Sequence, residues 1–500
     1  MKRVLSHPLS SLALGLCLRL FFLIKYPASS GDIPLYDEIA TNWLKHGVYG
    51  VNLNDALVPV DVRMPGYPAF LALIYRLTGR AGEAAQFQVM LVQAFVDLLC
   101  CVVVGAIAAW LVKTAGTSGS RSAFRAGIWI AALCPVTANY SAVLLTEALA
   151  TCASAISIYF LIRLAASCSE MFFPVSRLKA SWDKTPEYWA ALFGLSVGAI
   201  TYVRPESPIF LFSAWLALGW FFAKYGKLPR GIKLALLSWV MLAVSLSPWA
   251  VRNAISLHEF QFLAPKDATL PTEIPPRGFM AWERTWLYRL SDCYAVTWKL
   301  NEENIDLADI PRRAFDSESE KHRVAALLTK HNEDHTLTPE EDAAFGEIAR
   351  ERTSRHPFRT YFRVPFQRAL TIWFTPRIEL LPFSGNVFPL EQNWEDDRED
   401  QLVTLGFFFL NLVYLALAFA GGWTLWKRNT STRPALLAIA VYLLLRTAFL
   451  TTVEAPEPRY VLVCFPAILA LGAVVFVRPS KSPSASPVAG SGRHSSAGSG

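Results

Sequence analysis

Asp32, Tyr36, Asp37 and Glu38 stand just past the first long apolar run of this 500-residue chain, and Arg63 follows in Arg63-Met64-Pro65-Gly66-Tyr67-Pro68. Four more groups of the same kind sit at the ends of other apolar runs. They are Glu147 in Leu144-Leu145-Thr146-Glu147, the pair Arg204 and Glu206 around Pro205, Arg252 after Pro248-Trp249-Ala250-Val251, and Glu454, Glu457 and Arg459 before Tyr460. Carboxylates can take protons, and guanidinium forks can hold anionic oxygens. Charges beside hydrocarbon are costly and normally face a cavity or a partner. Five connections that place such groups at one depth and on one face meet the requirement for a site at a membrane–water boundary.

Each residue also has a structural reading. Arg252 and Arg459 suit interfacial anchors, whose stems lie along apolar surface while the charge stays wet. Arg204 and Glu206 suit an ion pair. Thr146 and Glu147 suit the cap and first turn of a helix. Asp32 after Gly31 suits a helix start. Arg19, inside the first run, is expected to snorkel or to pair within the bundle.

The elements that must position these groups are membrane spans. The composition is 53% hydrophobic and only 17% charged, too little charge to cover a soluble protein of this size. The expected fold is all-α and polytopic, with about ten transmembrane helices near 8–26, 86–112, 126–144, 146–166, 188–203, 207–223, 233–251, 402–426, 434–452 and 460–477. Lys2 and Arg3 before the first run, with Lys25-Tyr26-Pro27 after it, read as an uncleaved span. Lys113, Arg121, Arg125, Arg163, Arg177, Lys179, Lys184, Lys224, Lys227, Arg230, Lys233, Lys427, Arg428 and Arg433 collect on one side, which is therefore expected to be cytoplasmic, with both termini. The net charge of +7 then faces anionic lipid and calls for no nucleic-acid partner.

The organisation expected is a membrane module over 1–252 that includes a first outer loop at 27–85, an outer-face segment over 253–400, further spans over 401–477, and a disordered Ser/Gly/Pro-rich tail over 478–500. Thr338–Arg352 patterns as a helix with an acidic start, and Phe358–Phe374 interleaves aromatic and basic residues as an interfacial helix does. The outer segments hold no Asn-x-Ser/Thr sequon, which favours a bacterial inner (plasma) membrane, with the site on its periplasmic or extracellular face, over an endoplasmic-reticulum lumen. Of eight cysteines, six lie in apolar runs and read as small core residues; no zinc spacing is present.

In this order, five motifs resemble those of the GT-C glycosyltransferases of bacteria. These are multi-span enzymes related to protein O-mannosyltransferases, lipid A aminoarabinose transferase and lipopolysaccharide-core galacturonosyltransferases. The first runs Gly31-Asp32-x-x-x-Tyr36-x-x-x-Ala40-x-Asn42-x-Leu44-x-x-Gly47 and continues in Arg63-x-Pro65-Gly66-Tyr67-Pro68. The others are Leu144–Leu149, Val203-Arg204-Pro205-Glu206, Pro248–Asn253 and Glu457-Pro458-Arg459-Tyr460. The likeness covers the membrane portion and is poor over Ala254–Ser354.

The resemblance implies a sugar taken from a polyprenyl-phosphate donor to the hydroxyl of a lipid, glycan or protein acceptor; a single carboxylate opposite the leaving group implies inversion at the anomeric carbon by in-line attack. The acidic residue of the first loop corresponds to Asp32, with Asp37-Glu38 as rival; Arg63 stands where some relatives carry lysine. Asp32 would be the base. Arg63, Arg204, Arg252 and Arg459 would hold the phosphate. Tyr36, Trp43 and Tyr67 would stack on sugar rings or serve as interfacial aromatics. Some relatives use a divalent metal and others none, so no metal ligand is assigned. The alternatives are a polyprenyl-linked glycan polymerase or ligase, and a multi-span transporter; the latter would place charge near mid-bilayer rather than at span ends.

Overall fold

The computed structural model describes residues 7–116, 118–173, 185–265, 267, 269–270, 273–453 and 455–477. The expected disordered tail, the basic residues Lys2, Arg3, Arg177, Lys179 and Lys184, and Glu454 lie outside the described residues. The apolar runs form helices: α1 (Pro8–Lys25), α2 (Ile33–His46), α3 (Gly66–Thr78), α4 (Gln86–Thr114), α5 (Ser120–Ala132), α6 (Glu147–Phe172), α7 (Pro186–Thr201), α8 (Pro208–Lys224) and α9 (Leu228–Ser256). Proline opens α1, α7, α8 and α9, where its fixed φ suits the first turn and its missing N–H is not needed. After the 253–400 region come α16 (Arg398–Arg428), α17 (Arg433–Leu450) and α18 (Phe465–Val474). Among the described residues, six helical segments are long and apolar enough to cross a membrane, starting at Pro8, Gly82, Glu147, Leu228, Arg398 and Thr430; Pro208–Lys224 and Pro458–Val474 are shorter apolar helices. The chain is an α-helical, multi-span membrane protein.

The third expected span departs from its predicted course. Helix α5 stops at Ala132, ahead of Pro135, whose ring disfavours the helical conformation at Cys134. A short turn and a 3₁₀ segment carry the chain to Ala142. Val143–Leu144 (β4) is then extended and pairs in parallel with Ala28–Ser29 (β1). The other sheet is the hairpin of β2 (Gly50–Leu53) and β3 (Ala56–Pro59).

Helix α6 forms the middle of the bundle, contacted by α4, α7 and α18. Helix contacts are close where side chains are smallest. A Cβ on Gly127 of α5 would lie 2.8 Å from the Gly105 Cα of α4, closer than any side chain allows. Phe95, Leu99, Phe212, Leu216, Leu236, Val240, Phe409 and Leu444 point outward, as lipid-facing positions require. Inside α1, Arg19 pairs with Asp97 of α4 at 2.5 Å and donates to the carbonyls of Gly15 and Ala132, so this mid-span charge is fully partnered within the bundle. All eight cysteines are free thiols.

The 253–400 region has its own core. It contains α10 (Arg277–Glu283), α11 (Leu290–Ala295), α12 (Glu318–Asp334), α13 (Pro339–Arg355), α14 (Val364–Phe374) and α15 (Leu390–Asp396). Phe279, Trp282, Trp286, Val296, Leu328, Phe345 and Ile348 pack together apart from the span core. The expected helix near 338–352 is α13, started by a Thr338/Glu341 capping box. Buried Arg352 meets Glu320 and stands 3.2 Å from Asp316, which also binds Arg359 at 2.5 Å. Partial burial would raise the Asp316 carboxyl, but the hydrogen bond from Arg359 and the charges of Arg352, Arg359 and Arg355 hold it below its usual range. A carboxyl so depressed stabilises the fold above its ordinary value of 3.8, and that contribution is lost as pH falls through the lower folded value.

Arg352→Met removes the buried cation of Glu320, leaving half-exposed Arg355 at 2.7 Å as its remaining partner, and should cost about 1–3 kcal/mol at neutral pH. Denaturant unfolding of the purified protein, followed by tryptophan fluorescence of the Trp282/Trp286 core, reads this loss.

Candidate active site

The backbone first brings two distant connections together. The β1–β4 pairing fixes the start of the 27–85 loop beside the segment that leads into Glu147. Asp32 occupies the N-cap position of α2 but has helical φ and ψ and makes no capping hydrogen bond. Its carboxylate turns instead to Arg63, whose Nη2 donates to Oδ1 at 2.8 Å. The pair is partly open, with side-chain exposures of 34% for Asp32 and 25% for Arg63. The Arg63 guanidinium stands 5.9 Å from the Tyr36 ring centre, and Tyr36 meets Tyr67 edge-on at 5.1 Å. Burial pushes the Tyr36 phenol up to about 12, against the pull of Arg63, so it remains a neutral donor at pH 7. Tyr67 is fully buried and donates to Gln93 Oε1 at 3.0 Å; it is a packing residue, closed to a sugar ring.

Glu147 is the second centre. It starts α6 after Thr146, which makes no side-chain cap, so the capping reading gives way to ion pairing. Glu147 is buried, pairs with Arg204 and lies 3.8 Å from Arg459. Arg459 in turn donates to both Glu457 oxygens, at 2.5 and 3.1 Å, and the Tyr460 hydroxyl donates to the same carboxylate. The Arg204 guanidinium lies 5.4 Å from the Tyr460 ring centre. Arg204 and Glu206 do not pair with each other. Glu206 binds Arg446 of α17 at 3.0 Å. Burial would raise the Glu206 carboxyl, but Arg446 and Arg204 outweigh it and hold it below its usual range.

Tyr36 feels the charges of Arg63, Asp32, Arg204 and Glu147, and Arg63 interacts with Tyr460, so Asp32, Tyr36, Arg63, Glu147, Arg204, Glu206, Arg459 and Tyr460 converge, whereas two expected members lie elsewhere. Asp37 accepts a 2.6 Å hydrogen bond from Tyr75 on another side of α2. Arg252 is directed at the hairpin: it donates to Val60 O at 2.8 Å, to Tyr49 O at 2.5 Å and to Asn253 Oδ1 at 2.9 Å. Its guanidinium lies 5.0 Å from both the Tyr49 and Trp249 ring centres. Its donors hold loop carbonyls rather than turning to the Glu147 cluster. Trp43 sits edge-on to Tyr49 at 5.3 Å, in the same aromatic group.

Several participants carried little signal in the sequence. Arg446 stood alone in an apolar run, itself a sign of a buried partner. Glu379 accepts a 2.7 Å hydrogen bond from Tyr140 and feels the charges of Arg459 and Glu457. Beside it, buried Arg377 donates to Asn411 at 2.8 Å and to Pro458 O at 3.2 Å, bracing the turn before Arg459. Arg204 Nε is buried and has no hydrogen-bond partner among the described residues. Also among the described residues, no three His, Cys, Asp or Glu side chains gather as metal ligands.

No protein-family model and no curated protein matches the chain. Among solved structures, it is similar to ArnT from Cupriavidus metallidurans bound to undecaprenyl phosphate. That match has 14% identity and a TM-score of 0.39, covering 93% of this chain and 77% of that one. It is also similar to the oligosaccharyltransferase of Archaeoglobus fulgidus tethered to an acceptor peptide, with 11% identity and a TM-score of 0.48, covering 93% of this chain and 49% of that one. The chain spans about half the length of the archaeal enzyme.

The first loop reaches the later connections through Gly66, whose N–H donates to Tyr202 O at 2.8 Å. A Cβ there would stand 2.5 Å from that oxygen. Gly66→Ala should therefore push the 63–68 turn away from Val203-Arg204 and cost about 1–3 kcal/mol. A lowered thermal midpoint of the purified protein checks it, and an unchanged midpoint would show that the turn gives way freely.

Proposed function

We propose that the protein is an inverting glycosyltransferase that moves a sugar from a polyprenyl-phosphate donor to an acceptor hydroxyl, at the outer face of a bacterial inner membrane. The observation that carries this reading is the junction of an open carboxylate–arginine pair, Asp32–Arg63, with a deep arginine cluster that holds an unanswered donor, Arg204 Nε. A phosphate oxygen would supply that donor with its acceptor. The basic connections on the opposite side of the bundle support the outward orientation.

In this reading the acceptor oxygen attacks the anomeric carbon as the bond from that carbon to the phosphate oxygen breaks. The acceptor proton passes to Asp32, and the electron pair leaves with the polyprenyl phosphate. Only Oδ1 of Asp32 is engaged among the described residues, by Arg63, which leaves Oδ2 for the proton. Arg204 and Arg459, held side by side on Glu147, neutralise the departing phosphate. One displacement in line gives inversion. The spans supply the groove for the polyprenyl chain, and the 253–400 region bears on acceptor choice.

Asp32→Asn should lower sugar transfer about 10²–10⁴-fold with membrane insertion unchanged. Retained activity would remove Asp32 as the base. Proteoliposomes loaded with labelled polyprenyl-phosphate sugar test the reading as a whole. Label appearing on an acceptor supports transfer; label crossing the bilayer unmodified supports a transporter and overturns it.

A further inference from the structure

A cavity of about 330 Å³ lies between α11, α14 and the 384–388 turn. Tyr294, Thr371, Glu379 and Asn386 give it polar walls, while Phe374 and Phe388 form an apolar lip. Glu379 ties the cavity to the arginine cluster. Its Oε1 is held by Tyr140, and its carboxylate interacts with Arg459 and Glu457. Its Oε2 is shielded from solvent and has no hydrogen-bond partner among the described residues. Burial pushes this carboxyl above its usual range, against the Tyr140 hydrogen bond and Arg459. A buried carboxylate oxygen without a donor is costly, and rotation of the carboxylate toward the cavity that Glu379 lines would let a ligand hydroxyl relieve that cost.

The lip indicates what carries such a hydroxyl. Phe358, Tyr361, Phe362, Phe366, Leu370 and Phe374 are all exposed and recur at helical spacing along α14 and the wide-turned segment before it. Arg368, on the opposite side, is buried and donates to Leu287 O at 2.7 Å and Val453 O at 2.8 Å, which fixes the aromatic face outward. An exposed apolar face of this kind lies in the boundary of a bilayer, and Phe374 continues it into the cavity. Phe388, 74% exposed, extends it from the other wall.

We propose that this cavity is the acceptor site, and that it takes an amphiphile: a hydroxyl-bearing sugar head received by Glu379 and an apolar chain lying along the Phe374–Phe388 lip. This rests on the glycosyltransferase reading and names the acceptor as lipid-borne rather than a soluble glycan or peptide. Glu379 acts as a binding residue, and the base remains Asp32.

The test uses the full chain in lipid nanodiscs and an octyl glucoside carrying a diazirine in its alkyl chain. Crosslinks read by mass spectrometry should concentrate on segments 370–376 and 384–388 and disappear with excess unlabelled octyl glucoside. Glu379→Gln should weaken that competition about tenfold, as expected for loss of one charge-assisted hydrogen bond. Phe388→Ser, at an exposed position, should reduce labelling without altering the thermal midpoint. Binding of undecaprenyl phosphate, measured in parallel, should be unchanged in Phe388→Ser. Labelling spread evenly over the lipid-facing helices, or equal competition by a soluble maltose, would overturn the proposal. Loss of undecaprenyl-phosphate binding in the unmodified protein would instead sink the reading on which it rests.

Discussion

Glu147 holds the polar end of this bundle together. A carboxylate at the start of a deeply buried span is tolerable only with a cation beside it, and here two arginines from separate connections share it. Arg204 arrives from the turn between α7 and α8, and Arg459 from the turn before α18. Because neither guanidinium can move away without leaving a charge unmatched in a poorly polarisable medium, those turns are fixed relative to α6. The remaining contacts extend outward from this point: Glu457 and Tyr460 through Arg459, Glu206 through Arg446, and Asp32 through the strand pairing that runs into Glu147.

The same low polarisability explains which features could be read in the sequence. Apolar runs of bilayer length mark the spans directly, and every expected span contains helix. The ends of those runs mark ionisable residues worth attention, and most of them do meet. What the linear pattern could not supply was pairing. Arg204 and Glu206, two residues apart, look like partners, yet adjacent turns aim them at different helices. Arg252 resembles its neighbours in composition, but the carbonyls that occupy it belong to a hairpin whose position depends on the whole first loop. Arg446 and Glu379 were invisible as site residues because their partners lie 240 and 239 positions away in the chain. The break in the third span was foreshadowed by Pro135, but apolar composition on both sides concealed it.

The 253–400 region illustrates a different limit. Its capping box and amphipathic spacing announced α13, whereas its core of paired tryptophans and its buried arginine network depend on contacts between helices that share no motif. Its attachment to the spans is polar and specific. Arg368 reaches backbone oxygens at the end of α17, and Arg377 reaches the turn that carries Arg459. The region is thereby seated on the same turns that form the charged cluster, which places its cavity next to them.

The parallel pairing of Ala28–Ser29 with Val143–Leu144 is made by main-chain groups alone. A tether of that kind does not depend on which side chains it carries, provided they fit. Mutational drift can therefore rewrite these four positions, and much of the lipid-facing surface, without displacing Asp32 from Glu147. Over evolutionary time such a chain should keep short islands of recognisable sequence in a background that changes freely, and its ancestry would be easier to trace through the geometry of its polar end than through alignment of its helices.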